Sequence, residues 1–255
     1  MTSGANQGPE LTDPGYWSGI QRGLARPAQA LRDDREAEWL APVLRHLLPY
    51  AGQRFLELGC SPGHAAALIR SRLPLIMEGV DYNSESDLFL RNLAEIGCHD
   101  AIVHRADIRD FSPDTDYDVV ASFGLIEHFS DPQTMLRHHL RLLRPGGLCV
   151  VVIPWFRGLQ WLFHRTFDRE DLTRHNLEAM DTDLFRRVAS ETGSEVLHLA
   201  HAGALRFWWL REPENRRGRL ALRIILTPAG KLRPHLRPGP LHSPWLVFIG
   251  RRSGS

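Results

Sequence analysis

The sequence predicts an α/β fold, a largely parallel sheet covered by helices on both faces. Three observations point there. From Arg54 onward, short apolar runs alternate with segments of helical period, as when strands are joined by helical crossovers. Residues 148–153 form an unbroken apolar run, as expected of a strand buried on both sides. Clusters of glycine and proline punctuate the segments, notably at residues 59–63 and 144–147, where the chain must turn.

Taken in order, residues 1 to about 12 are small and polar and read as a frayed tail. Residues 27–50 turn helical, with Leu40, Val43, Leu44 and Leu47 at i, i+3, i+4 and i+7 on one apolar face. A strand at 54–58 leads through a glycine turn into a short helix ending near Ile69. A second strand follows at 75–80, a helix at 85–96, a third strand at 101–104 and a fourth at 117–123. Asp131 caps the next helix, with Pro132 in its first turn and Leu136, Leu140 and Leu143 on its apolar face. Arg144-Pro145-Gly146-Gly147 stops that helix before the strand at 148–153. Between residues 154 and 180 the alternation breaks. Trp155, Phe156, Trp161, Phe163 and Phe167 are interleaved there with Arg157, His164, Arg165 and His175. A helix at 183–192 and strands at 195–199 and 244–250 follow, while the arginine- and proline-rich residues 205–240 resist assignment.

Composition bounds the function. At 255 residues with 43% hydrophobic content, the chain can bury a full core without staples. Cys60, Cys98 and Cys149 are too few and too far apart for a disulfide framework, which points to a reducing compartment. The longest apolar stretch, residues 148–156, is far short of the ~20 residues that span a bilayer. Residues 1–10 lack the basic and apolar regions of a signal peptide. A cytoplasmic protein is expected. With 31 basic and 30 acidic residues there is no whole-molecule field to draw DNA, RNA or a membrane. Lys231 is the single lysine, a bias that speaks of a GC-rich source rather than of function.

The chemistry gathers at strand ends. The first strand runs into Glu57-Leu58-Gly59-Cys60-Ser61-Pro62-Gly63, where glycines let a ligand approach the backbone. The second ends at Asp81, whose carboxylate is suited to the hydroxyls of a ribose, and Asp107 follows the third, where it could accept from an adenine amino group. All three lie at the C-terminal edge of the sheet, where open α/β folds bind ligands.

This set resembles the class I S-adenosylmethionine-dependent methyltransferases. Residues 57–63 resemble their motif I, with Ser61 where many members carry a glycine. Asp81-Tyr82 resembles the ribose-binding position and Asp107-Ile108 the adenine-contacting pair. Residues 118–128, including Phe123 and Glu127-His128, resemble the motif IV strand and the loop under the methionine end. Leu143-Arg144-Pro145-Gly146-Gly147 resembles the turn before strand five, and Pro14-Gly15-Tyr16-Trp17 a lid segment of some small-molecule members. The resemblance implies a Rossmann-like sheet of seven strands, the last antiparallel. It implies S-adenosylmethionine as donor, held by Tyr16, Trp17, Glu57, Gly59, Cys60, Gly63, Asp81, Tyr82, Asp107, Ile108 and Phe123. The organisation would then be a tail with lid helices at 1–50 and one domain at 51–255, with an acceptor-binding insert at about 154–181.

The expected acceptor is a small molecule bearing oxygen or nitrogen, a natural-product intermediate being favoured, and the chain a monomer or homodimer. Glu127, His128 and His175 are the candidates for taking a proton, since an imidazole of ordinary pKa ~6.5 accepts one near neutrality. His128 shaping the pocket only is the bland alternative. Trp155, Phe156 and Trp161, with His175, are candidate acceptor contacts, or else plain core. An RNA, phosphorylated or lipid acceptor reached through the arginine-rich residues 211–237 is a second reading, and a donor-binding partner without catalysis a third. A hydrolase elbow at Gly59-Cys60-Ser61-Pro62-Gly63 fails because Pro62 has no N–H for the oxyanion. The glycine spacing is wrong for a nicotinamide fingerprint. No zinc spacing is visible: His138 and His139 are adjacent on one helix, and Cys98-His99 has no second pair. No metal is expected.

Overall fold

In the computed structural model, residues 38–82, 86–205 and 235–254 are described. Tyr16 and Trp17, the rest of the expected lid, and nearly all of the arginine-rich residues 211–237 lie outside them.

The described chain builds β1 (Arg54–Leu58), β2 (Ile76–Val80), β3 (Ile102–His104), β4 (Tyr117–Phe123), β5 (Leu143–Pro154), β6 (Glu195–Ala202) and β7 (Trp245–Arg251). They form one sheet in the order β3-β2-β1-β4-β5-β7-β6. β1 pairs in parallel with β2 and β4, and β2 with β3; β7 runs antiparallel to both β5 and β6. The seven-stranded, mostly parallel sheet with its last strand reversed is therefore observed.

The central strands β1, β2, β4, β5 and β7 are buried on both faces along most of their length, which is why they are mainly apolar. Leu56, Leu58, Val120 and Val151 face one core, with Leu136, Leu140, Leu184, Phe185 and Val188 packed on them. These come from α4 (Pro132–Arg141) and α7 (Thr182–Glu191). Phe55, Met77, Val119 and Val150 face the other core. It is closed by α1 (Leu40–Leu47), α2 (His64–Arg70) and α3 (Asp87–Ala94). α4 is capped as its sequence predicts: Asp131 accepts from the Thr134 N–H at 3.0 Å, and Pro132 occupies the first turn.

Three expectations change. Trp39, Leu40, Val43, Leu47 and Tyr50 belong to the second core, and the Tyr50 hydroxyl donates to the Gly146 carbonyl at 2.8 Å. Residues 39–50 are thus built into the domain rather than standing apart as a lid. Arg144–Gly147 is not a turn before β5 but an outward bulge within it. Tyr117 pairs with Leu143 and Val119 with Leu148, and Gly146 takes φ +76° to let the extra residues loop out. Finally, residues 154–180 are helical: α5 (Gly158–Phe167), α6 (Arg169–Thr173) and a 3₁₀ turn at Leu177–Ala179. Among the described residues no helix is long and apolar enough to cross a membrane.

One carboxylate ties four parallel strands together. Glu78 on β2 accepts from Arg54 Nε on β1 at 2.9 Å and from the Tyr117 hydroxyl on β4 at 2.9 Å, and lies 3.0 Å from His104 Nε2 on β3. Burial alone would raise its pKa, but the hydrogen bonds from His104, Arg54 and Tyr117 prevail and hold it below the ordinary 4.5. A folded-state pKa below the unfolded one adds stability that is fully present above the ordinary value and lost as pH falls through the folded one. Glu78→Gln should therefore cost about 1–3 kcal/mol in urea unfolding at pH 7. The gap between variant and wild type should close as the pH falls below 4.5. An unchanged gap in acid would contradict this role.

Candidate active site

The glycine turn after β1 is shaped by close approach on both sides. Gly59 (φ +66°) and Gly63 (φ +85°) take left-handed conformations that glycine adopts readily. A Cβ on Gly59 would stand 2.7 Å from Leu125 Cδ1, and one on Gly63 would stand 2.9 Å from the Phe89 Cα. The turn is pinned by neighbouring elements. Asp81, just past β2, accepts from the Ser61 N–H at 3.1 Å, and Asn92 Nδ2 on α3 donates to the Pro62 carbonyl at 2.7 Å.

Glu57 is the last polar residue of β1 and is buried. Its Oε2 has no hydrogen-bond partner among the described residues. Burial pushes its carboxyl well above the usual range, the Ala66 N–H opposes that, and the charge of Asp81 adds to it. A buried acceptor of this kind, beside a turn that no Cβ can enter, fits a ligand carrying a cationic group and a ribose.

Other expected donor contacts are placed less simply. The Cys60 thiol turns into the core, over Gly79, so only its backbone borders the turn. Asp107 already takes a forked contact from Arg109, which with the Arg109 N–H keeps its carboxyl below the ordinary range despite partial burial. An adenine amino group would share that carboxylate. Ile108 is buried in the first core, Tyr82 is half-buried at the tip of β2, and Phe123 ends β4 with its ring 4.7 Å from Trp39.

A second group lies beyond β4. Gly124, at φ +69°, turns the chain into a 3₁₀ turn at Ile126–His128. Glu127 is fully buried, and neither carboxylate oxygen has a hydrogen-bond partner among the described residues. The segment after α6 folds onto this turn: Asn176 N–H donates to the Glu127 carbonyl at 2.6 Å, and Asn176 Nδ2 to Phe129 O at 3.0 Å. That brings the His175 ring to 4.6 Å from the His128 ring, centroid to centroid. The three expected acid–base residues, 48 positions apart at the extremes, are in one place.

Burial sets their protonation. It pushes Glu127 up to about 8, opposed by a backbone hydrogen bond and aided by the charge of Asp171. Burial, with His175 nearby, takes His128 down to about 3, and burial takes His175 down to about 4. The ordinary imidazole value near 6.5 does not apply to His128; both rings are neutral through the usual pH range.

The aromatic residues divide. Trp155 and Phe156 are buried, Trp155 donating from Nε1 to Pro240 O at 2.7 Å. Phe156 forms the wall against His175 and His164, with centroids at 4.5 and 4.1 Å. Trp161 is 36% exposed and lies under Arg165, apart from this group. Sequence reasoning overlooked Asp171, Arg174 and Asn176. The i, i+4 spacing of Asp171 and His175 was the available signal.

The profile of a methyltransferase domain matches residues 31–220. The chain belongs to the class I S-adenosylmethionine-dependent methyltransferases. A protein of Mycolicibacterium smegmatis described as a "probable S-adenosylmethionine-dependent methyltransferase" is 34% identical over 110 residues, 41% of this chain and 39% of that one. A ubiquinone biosynthesis O-methyltransferase of Albidiferax ferrireducens is 28% identical over 181 residues, 66% of this chain and 62% of that one. The matches therefore span less than two thirds of these relatives. In fold, the methyltransferase resembles one from Thiobacillus denitrificans solved with S-adenosyl-L-homocysteine: TM-score 0.54, 17% identity, 84% of this chain and 90% of that one.

The methyltransferase should bind S-adenosylhomocysteine in calorimetry. Asp81→Ala should weaken binding by roughly 1.5–3 kcal/mol, the scale of a hydrogen bond to a charged group. Gly63→Ala, which drives a methyl into the Phe89 backbone, should lose binding and lower the melting temperature together. Wild-type protein that does not bind would contradict the assignment of the turn.

Proposed function

We propose that this methyltransferase transfers a methyl group from S-adenosylmethionine to an oxygen or nitrogen of a small molecule, with a secondary-metabolite intermediate as the favoured acceptor class. One observation carries the reading. Leu125, whose side chain covers Gly59, immediately precedes the turn that holds Glu127 and His128. We read the expected donor turn and the carboxylate–imidazole group as the two sides of one crevice, since they follow the neighbouring strands β1 and β4. The likeness to a ubiquinone biosynthesis O-methyltransferase supports a small-molecule acceptor.

When bound, S-adenosylmethionine supplies a methyl group already activated by its sulfonium. The chain's own work is then to hold, align and exclude water. Glu57 and Asp81 offer carboxylates on the donor side. On the acceptor side, buried His128 and His175 are fixed through their Nδ1 atoms, to Arg174 O at 3.0 Å and Asp171 O at 2.7 Å. The Asn176 bonds keep the 3₁₀ turn from moving away from this pair. We place the protein in the cytoplasm, where its three buried cysteines would stay the free thiols they are here.

Incubation with methyl-labelled donor and a panel of alcohols, phenols and amines should yield a product carrying one added methyl group. His175→Ala should lower turnover on that acceptor more than about tenfold, a ~1.4 kcal/mol rise in barrier, with homocysteine-product affinity nearly unchanged. Donor binding with no transfer to the panel would contradict the reading. Transfer to RNA instead would move the acceptor to the arginine-rich segment.

A further inference from the structure

The group beyond β4 brings three metal-ligating side chains together. His128 Nδ1 contacts the Arg174 carbonyl and His175 Nδ1 the Asp171 carbonyl, at 3.0 and 2.7 Å. A carbonyl only accepts, so each ring carries its proton on Nδ1 and its lone pair on Nε2. Glu127 adds two carboxylate oxygens, both fully buried and both without a hydrogen-bond partner among the described residues. One ligand atom from each of Glu127, His128 and His175 lies within 4.8 Å of the others. Glu127 Oε1 and His128 Nε2 are 3.9 Å apart, beyond hydrogen-bond reach.

From this geometry we infer that Glu127, His128 and His175 form a binding site for one divalent transition-metal ion of the zinc or manganese type. Two imidazoles and one carboxylate are a donor set such ions take, in preference to magnesium. Bonds of ~2.0–2.2 Å in tetrahedral geometry set ligand atoms about 3.3–3.6 Å apart. The Glu127 Oε1–His128 Nε2 separation of 3.9 Å is near that range, and the whole set, within 4.8 Å, would draw inward around an ion. The surroundings are those of a prepared site. Both rings are oriented by Nδ1–H bonds to backbone carbonyls, the usual outer support for histidine bound through Nε2. The Asp171 carboxylate lies 3.7 Å from His175 Nδ1, and Phe156 walls the His175 ring on its other side. Three protein ligands leave the coordination sphere incomplete, as in catalytic rather than structural sites. The ion would stand on the acceptor side of the crevice, so the inference extends the methyl-transfer reading. Sequence spacing hid it, because His175 reaches Glu127 and His128 only through the fold of α6 and Asn176.

The test uses full-length protein stripped with EDTA. Calorimetric titration with Zn²⁺, and with Mn²⁺ and Mg²⁺ for comparison, should show one Zn²⁺ per chain, weaker Mn²⁺ and no measurable Mg²⁺. Loss of an outer-shell partner usually costs 10–100-fold in affinity. Glu127→Gln and His175→Ala remove ligands and should each cost more than ~100-fold. The exposed His99→Ala should change nothing. S-adenosylhomocysteine binding, measured on the same samples, reports that the variants are folded and keeps the two readings apart. Metal binding lost with product binding intact supports the site. Failure of product binding alone would sink the donor assignment and leave the metal site standing. Should either variant misfold, spin-echo spectra of the wild type with Mn²⁺ decide, since two imidazole nitrogens must modulate the signal. No binding by the wild type, binding retained in both variants, or a spectrum without imidazole nitrogen would overturn the inference.

Discussion

Everything functional in this chain depends on one reversal in strand order. The sheet grows outward from β1 to β2 to β3, and the chain then returns to lay β4 on the opposite side of β1. The connections leaving β1 and β4 consequently diverge, the arrangement at which open α/β sheets form a ligand crevice. Gly59 and Gly63 occupy one wall of it, Gly124 and the Ile126–His128 turn the other. Leu125 bridges them by lying over Gly59. A binding site needs such a gap because elsewhere the sheet is sealed by helices on both faces.

Two buried glutamates on neighbouring strands, one level apart in register, have opposite surroundings. Glu78, Arg54, His104 and Tyr117 make a satisfied polar lock within the parallel strands. Glu57, three positions past Arg54 on β1, is buried with an oxygen that has no partner among the described residues. Both glutamates are costly to bury. One is compensated by three protein donors and its pKa falls; the other is not, and its pKa rises. That contrast marks Glu57 as a candidate ligand contact more clearly than burial does.

Much of the fold was legible because burial on two faces leaves a strong sequence trace. The apolar runs in β1, β2, β4 and β5 and the Asp131-Pro132 start of α4 follow from local chemistry alone. The glycine turn was legible because Gly59 and Gly63 take left-handed conformations that favour that residue type. Two features were not. The bulge at Arg144–Gly147 looks like a helix stop, since Pro-Gly-Gly signals a turn whether or not a strand has already begun. Its backbone is satisfied by β7, with Gly146 N–H donating to Arg252 O, a partner more than a hundred residues away. The clustering of Glu127, His128 and His175 depends likewise on a long-range bond, from Asn176 to Glu127, that no periodicity announces. Trp155 and Phe156 were read as either acceptor cover or core; they are buried, and Phe156 serves as the wall behind His175.

The central claim is that the crevice between β1 and β4 is where the donor sits. A crystal structure grown with S-adenosylhomocysteine tests it most directly. The account predicts ribose hydroxyls on the Asp81 carboxylate, the amino-acid end against the residue 59–63 turn near Glu57, and the sulfur facing the Ile126–His128 turn. Density for the ligand anywhere else, with Asp81 still turned only to the Ser61 N–H, would contradict it.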